Sequence, residues 1–123
     1  MCFIRIIFKT STDSLVVYST EEKAVGTWVN GKTIYRKSYS ASGLSLTGEN
    51  VIDSTLNTNY VDHVVKIEGS MKTTTHGFLV QRDYASTTPY HCMFRVASDG
   101  LRADINNYTI SNYAVTVYYT KVE

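Results

Sequence analysis

Cys92 is the one thiol with an imidazole beside it in the sequence, at His91. A nucleophilic cysteine needs such a base within hydrogen-bond reach. These two residues begin an apolar run that is typical of a β-strand, and neighbouring side chains of a strand point to opposite faces. Cys92 would then share a face with Phe94 and Val96 and belong to the core. We therefore predict no catalytic residue at this position.

The histidines lack the spacing of a metal site. None of the three stands in an HxH or HExxH pattern, and the two cysteines form no CxxC pair, although such short motifs are what place ligands around zinc. The phosphate-binding loop and the dinucleotide-binding glycine motif are missing from the sequence as well. We expect neither a metal nor a cofactor.

Carboxyl groups would support hydrolysis only if the fold brings two of them together. A glycosidase needs a pair of carboxyl groups that face each other across a cleft. Among the eleven acidic residues, Asp62 with Glu68 or Asp83 with Asp104 are such candidates, but their spacing distinguishes them from no other pair. We predict a protein that is not an enzyme. A small polysaccharide-degrading enzyme ranks third, after the two non-catalytic functions given at the end of this subsection.

Tyrosine is the most informative residue type in this chain. Ten tyrosines and one tryptophan occur in 123 residues, and tyrosine lets a surface bind with little loss of side-chain entropy. A ring stacked against a sugar, with amide and charged groups around it, is a common carbohydrate site. The alternative is that these rings pack in a sheet with their hydroxyl groups at its rim. The candidate ligand-binding residues, taken from two predicted loops, are Arg82, Asp83, Tyr84, Tyr90, His91, Asn106, Asn107 and Tyr108.

The composition predicts an all-β scaffold for these residues. Val, Ile, Thr, Tyr, Phe and Trp make up 52 of the 123 residues, and these side chains favour strands. We expect a single domain over residues 1–123, an antiparallel β-sandwich, jelly-roll-like, of about seven to nine strands. Residues 1–17 would form an N-terminal strand and extension.

Asn30-Gly31 predicts a first hairpin between two apolar runs. A two-residue type I′ turn at these positions would place Trp28 opposite Thr33. Both faces of the hairpin carry apolar groups, so one face must be buried or must contact another subunit. The residues that we assign to an oligomer interface are Val25, Trp28 and Tyr35.

Asp99-Gly100 predicts a second hairpin. A two-residue turn there would place Arg95 opposite Asp104, an attractive cross-strand pair. The other predicted strands are residues 2–10, 15–18, 61–68, 77–81 and 113–121. Residues 40–59, with one short strand, and residues 83–89 are predicted as loops, and a further loop around Asn106–Tyr108 separates the second hairpin from the last strand.

Charge and hydropathy exclude several classes of protein. The net charge is +1 and no like-charge run exceeds two residues, whereas a sequence-independent nucleic-acid binder needs a basic stripe. No apolar stretch approaches the roughly 18 residues of a membrane helix. The apolar residues 2–8 lack the basic start and the cleavage site of a signal peptide. We expect no nucleic-acid partner, no membrane insertion, and synthesis in a reducing cytoplasm with both cysteines free.

Short motifs in the first third of the chain carry a family resemblance. They are Tyr18-Ser19-Thr20-Glu21-Glu22, Val25-Gly26-Thr27-Trp28, Gly31-Lys32 and Ile34-Tyr35. This pattern resembles the C-terminal module of bacteriophage and prophage tail-fibre or receptor-binding proteins, over most of residues 18–121. The resemblance implies a virion tail protein made in the bacterial cytoplasm, assembled as a homotrimer, in contact with other tail proteins. It carries over no binding residue.

The tyrosines and the resemblance together favour a binding function. We predict a non-catalytic tail module that recognises a host-surface glycan or protein. The alternative, from a different class, is a purely structural fibre cap or trimerisation unit that binds no ligand.

Overall fold

The computed structural model describes residues 21–75, 77–80 and 91–123, which form seven β-strands and no helix. The strands are β1 (Lys23–Thr27), β2 (Thr33–Ala41), β3 (Leu46–Asp53), β4 (Val61–Thr73), β5 (Phe78–Leu79), β6 (His91–Ala97) and β7 (Gly100–Lys121). All of their pairings are antiparallel, which confirms the predicted all-β antiparallel class. The strands predicted at residues 2–10 and 15–18 and the loop at 83–89 lie outside the described residues.

The long strand β7 organises the sheet. Its C-terminal half lies between β2 and β4, and its N-terminal half lies between β3 and β6. The strands β1 and β5 extend the sheet next to β2 and β4. We predicted separate strands before and after residue 107, and that prediction is wrong, because β7 runs through this point without a break.

The sheet bends back on itself where β7 passes Asn107. This residue has a left-handed backbone with a φ of 64°, a conformation that asparagine tolerates better than most residues. The pairing of β3 with β7 also shifts its register between Ile110 and Ile105. Tyr39 and Asp53 each pair with a residue of β7, and on a straight strand these two β7 residues would lie about 45 Å apart. The Tyr39 hydroxyl nevertheless donates to Asp53 at 2.6 Å. The layers that we predicted as two sheets are therefore two halves of one sheet.

The core lies between these two halves. Alternate residues of the C-terminal half of β7 point inward, and Val115, Val117 and Tyr119 are almost fully buried. From the other half come Leu101, Ala103 and Ile105, together with Cys92 and Phe94 of β6. Cys92 is fully buried, which confirms its predicted place in the core. None of the described segments is a helix with the length and hydropathy needed to cross a membrane.

The first hairpin closes with a three-residue loop instead of the predicted two-residue turn. The Trp28 N–H donates to the Lys32 carbonyl at 2.8 Å, and the Gly31 N–H donates to the Trp28 carbonyl at 2.9 Å. Only Gly31, with a φ of 87°, is left-handed in this loop. The Asn30 side chain accepts the Lys32 N–H at 3.0 Å. The loop is thus a type I turn with a glycine bulge. The predicted register is therefore wrong by one residue next to the loop, and by two beyond the irregularity between Ala24 and Gly26.

The second hairpin turns at Ser98-Asp99, one residue earlier than predicted. Ala97 pairs with Gly100, so each residue of β6 faces a partner two positions from the predicted one. A shift of two residues keeps every side chain on its face. The predicted ion pair still forms, but between diagonal neighbours on the two strands, with Arg95 Nε donating to Asp104 at 2.5 Å.

Three further strand boundaries differ from the prediction. We ended a strand at Gly69, but β4 continues to Thr73, because Gly69 lets the carbonyl of Ala114 approach where a side chain would collide. The predicted loop of residues 40–59 contains the eight-residue strand β3. The strand predicted over residues 77–81 is the two-residue β5.

Candidate functional site

The predicted loop site is described only in part. Outside the described residues lie Arg82, Asp83, Tyr84 and Tyr90, whose arrangement stays a prediction. His91 and Asn106 lie directly opposite each other on β6 and β7, and Asn107 is exposed at the bend. Tyr108 is buried, with 8% of its surface exposed, because the chain turns inward after the bend. The prediction that Tyr108 lies in an exposed loop is therefore wrong, because it is a buried residue of β7.

The residues assigned to an oligomer interface do not share one face. Val25 is exposed on the edge strand β1. Trp28 stacks on the His63 ring, with centroids 5.5 Å apart. Tyr35 lies on the opposite side of the sheet, beside Tyr119 at 6.2 Å. Two of the three side chains thus have partners within the chain, and whether they contact another subunit stays a prediction.

An open cleft lies between the β1–β2 loop and the end of β7. Its volume is about 400 Å³, within the range of small-molecule sites. The residues around the β1–β2 loop and those at the end of β7 contribute polar groups, and β2 contributes one aromatic ring. The lining residues are Gly31, Lys32, Thr33, Tyr35, Lys121, Val122 and Glu123.

Lys32 fixes one wall of this cleft. Its ammonium group donates to the Asp62 carboxylate at 2.9 Å and to the Lys121 carbonyl at 3.0 Å. These bonds tie the first hairpin to the start of β4 and the end of β7. Because an ammonium group has three hydrogens, one remains beyond these two bonds for a ligand oxygen.

The opposite wall borders what we call the tyrosine box, which consists of Glu22, Tyr35, Tyr60 and Tyr119 around the Lys121 ammonium group. The Lys121 nitrogen lies 4.1 Å from the centre of the Tyr35 ring and 5.3 Å from that of Tyr60. It donates to the Glu22 carboxylate at 2.5 Å. The hydroxyl groups of Tyr60, at 2.7 Å, and Tyr119 donate to the other Glu22 oxygen.

The charges inside the tyrosine box reinforce each other. Burial alone would raise the pKa of Glu22, but hydrogen bonds from Lys121, Tyr119 and Tyr60 outweigh burial and lower it. The hydrogen bond to Glu22 raises the pKa of Lys121. Burial, followed by the bond to Glu22, raises the pKa of Tyr119. The carboxylate and the ammonium therefore both stay charged at neutral pH, so the box supplies electrostatic attraction and no proton transfer.

Three of the four candidate carboxylates for hydrolysis have a resident cation, and the fourth, Asp83, lies outside the described residues. The cations are Lys32 for Asp62, Lys66 for Glu68, and Arg95 with Arg102 for Asp104. A general acid or base has to face a substrate, so these three carboxylates are better explained as ion-pair partners.

Arg102 forms the largest charged cluster of the described residues. Its guanidinium donates to Asp104 at 3.1 Å, to Glu49 at 2.6 Å and to Asp99. Its side chain is only 10% exposed. In the ranges that the structure describes, no three metal-ligating side chains are grouped to hold an ion. The cluster joins β3, the second hairpin and β7, which is a structural task.

Sequence reasoning missed the cleft and the tyrosine box. Tyr35 was singled out, but for a different role, and nothing in the sequence brings it next to Glu22, Tyr60 and Lys121. Of the described regions, this one combines an open volume, an aromatic ring and several charged groups. Comparison with protein-family models, with curated proteins and with solved structures finds no match.

Proposed function

We propose that this protein is a non-catalytic module of the bacteriophage-tail type that recognises a glycan or protein on a host cell surface. The observation that carries the proposal is the open cleft that joins the Tyr35 ring to the Lys32 and Lys121 ammonium groups. The family resemblance of the first motifs, which include Tyr35 itself, supports the same function.

A glycan suits the chemistry of the cleft better than a flat protein surface does. The apolar face of a sugar ring can stack on Tyr35, which is half-buried. Hydroxyl groups of the sugar can bond to Lys32, Thr33 and Glu123, since these side chains supply both donors and acceptors. A small apolar surface with a few fixed polar groups is the usual composition of such sites.

A single shallow site of this kind binds weakly. We expect a dissociation constant near millimolar, about −4 kcal/mol. Several linked sites raise the apparent affinity by about 10²–10⁴. The homotrimer that the resemblance implies would supply three of them, so assembly is part of the proposed function.

The edge strand β1 favours self-association. All five of its residues are exposed, and Val25 and Val29 are 41% and 90% exposed beside the loop that borders the cleft. An exposed edge with apolar side chains tends to pair with another chain. Light scattering should give about three times the 13.8 kDa of one chain. A monomer at micromolar concentration would contradict the trimer.

Binding of the purified protein to a glycan array and to intact host cells tests the function. Tyr35→Ala should lose at least tenfold in binding. Tyr118→Ala is the matched control, because Tyr118 is equally half-buried but lies on the opposite face of the sheet, and it should bind as the parent does.

Other outcomes of this experiment select the alternatives. If the parent protein binds no glycan and no cell, the structural fibre cap is the better explanation. If it releases reducing ends from host polysaccharide, it is an enzyme. If Tyr35→Ala binds as well as the parent, the ligand lies elsewhere, and the predicted loop residues Tyr84 and Tyr90 would be tested next.

A further inference from the structure

We propose that the tyrosine box is a binding site for the ammonium group of a ligand, and that Lys121 occupies this site until a ligand displaces it. The inference rests on the proposed function, because it names the ligand class of the same cleft. The favoured ligand is zwitterionic and carries a phosphate or carboxylate a few bonds from its ammonium group.

The first argument is the composition of the box. The rings of Tyr35 and Tyr60, from β2 and the β3–β4 connection, lie against one cation. That cation pairs with Glu22, which also accepts a hydrogen bond from Tyr119 of β7. Aromatic faces combined with a carboxylate are the arrangement by which proteins recognise organic ammonium groups. A salt bridge that only held the strand end in place would need Glu22 and no rings.

The second argument is access. The Lys121 side chain is 29% exposed, Tyr60 is 38% exposed, and Tyr35 and Lys121 both line the cleft. The Lys121 backbone is fixed by pairing with Val61 and by its bond from Lys32. Only the flexible four-carbon stem of Lys121 has to move for the box to open.

The third argument concerns the charge that displacement creates. When a ligand ammonium enters the box, it takes over the Glu22 carboxylate, and the Lys121 ammonium is left in the cleft near Lys32. Two cations side by side need an anion. A ligand that brings its own phosphate or carboxylate satisfies both lysines, whereas a simple cation leaves them unpaired.

Titration of the folded protein with small probes tests this proposal, with tyrosine ring signals followed by NMR. The probes are tetramethylammonium, inorganic phosphate, phosphocholine and glucosamine 6-phosphate. The parent should bind the two zwitterions at least tenfold more tightly than tetramethylammonium or phosphate. Comparison of the two zwitterions distinguishes a choline headgroup from an amino sugar as the source of the ammonium group.

Lys121→Ala empties the box. This variant should bind tetramethylammonium at least tenfold more tightly than the parent, and the advantage of the zwitterions should disappear. Adding Tyr35→Ala should abolish the gain. Lys66→Ala is the matched control, because Lys66 pairs with Glu68 at 3.1 Å and lies 5.7 Å from a single ring, that of Tyr118, and it should gain no binding.

The result that overturns the proposal is a folded Lys121→Ala variant, verified by circular dichroism, that binds tetramethylammonium no better than the parent. If that variant is too unstable to titrate, Lys121→Gln replaces it and must show the same gain. If neutral glycans bind in a Tyr35-dependent manner while no ammonium probe binds, this inference fails and the proposed function stands.

Discussion

The two ends of strand β7 both carry a cation, but the two cations are held in different ways. At the Gly100 end, the guanidinium of Arg102 is bonded to three carboxylates and is almost completely buried. At the Lys121 end, the ammonium group has one carboxylate, that of Glu22, and the faces of tyrosine rings, and it borders an open cleft.

This difference separates a structural end from an exchangeable end. Removing one partner of a buried ion pair is costly, because the other charge is left without solvent. Lys121 is held at a partly exposed site by one ion pair and by aromatic faces, each of which contributes about 1 kcal/mol or less, and we therefore propose that a ligand can replace it. The Gly100 end therefore stabilises the fold, and the Lys121 end is the one that we propose for binding.

Adding one methyl group at each end should give the largest contrast. A Cβ at Gly100 would lie 2.4 Å from the Asp53 carbonyl oxygen, whereas a Cβ at Gly31 has no neighbour within 4 Å. Both glycines have a positive φ, so both variants have backbone strain of about 1–3 kcal/mol. Gly100→Ala should lose at least about 3 kcal/mol, since overpacking adds to this strain, and Gly31→Ala about 1 kcal/mol. Equal losses in urea unfolding would refute the close packing at Gly100.

Removing a carboxylate from each end should give a smaller contrast. Asp104 is 5% exposed and binds both Arg95 and Arg102, so Asp104→Ala should cost about 2–3 kcal/mol. Asp62, whose side chain is 42% exposed, pairs with Lys32 at the other end, and Asp62→Ala should cost less than about 1 kcal/mol. Thermal unfolding of both variants measures the difference, and a costlier Asp62→Ala would reverse our assignment of the two ends.

Acid should destabilise both ends, and the Gly100 end more. Burial would raise the pKa of Asp53, but hydrogen bonds from Thr55, Tyr39 and Lys37 lower it strongly, and the pKa of Glu22 is lowered as well. A lowered carboxyl pKa gives stability that is complete above the unfolded value of about 4 and is lost as the pH falls through the folded value.

Variants that each remove one carboxyl charge separate the contributions of Asp53 and Glu22 to stability in acid. Between pH 5 and pH 2 the melting temperature of the parent should fall, and Asp53→Asn should flatten this fall more than Glu22→Gln does. Parallel curves for the parent and Asp53→Asn would contradict the role of Asp53.

The fold class and the positions of two hairpins followed from the sequence, because composition and turn residues are local signals. The registers did not follow, because the Asn30 side chain and the backbone beside Gly100 decide them, and these are details of single hydrogen bonds and contacts. The bend at Asn107 was missed as well, since alternating residues continue on both sides of it.

The cleft was beyond prediction for a different reason. Glu22, Tyr60 and Lys121 are far apart in the sequence and meet only because the sheet places the start of β4 next to the end of β7. No local pattern marks such a meeting. We selected Tyr84 and Tyr90 because polar neighbours surround them in the sequence, and their role stays a prediction.

An NMR chemical-shift map of the isotope-labelled protein with the tightest glycan from the array tests the central claim most directly. We expect the amide signals of residues 31–35 and 121–123 to move, while those of residues 99–104 stay within the experimental error. Shifts confined to residues 99–104, or to His91, Asn106 and residues 82–90, would contradict the assignment of binding to the Lys121 end.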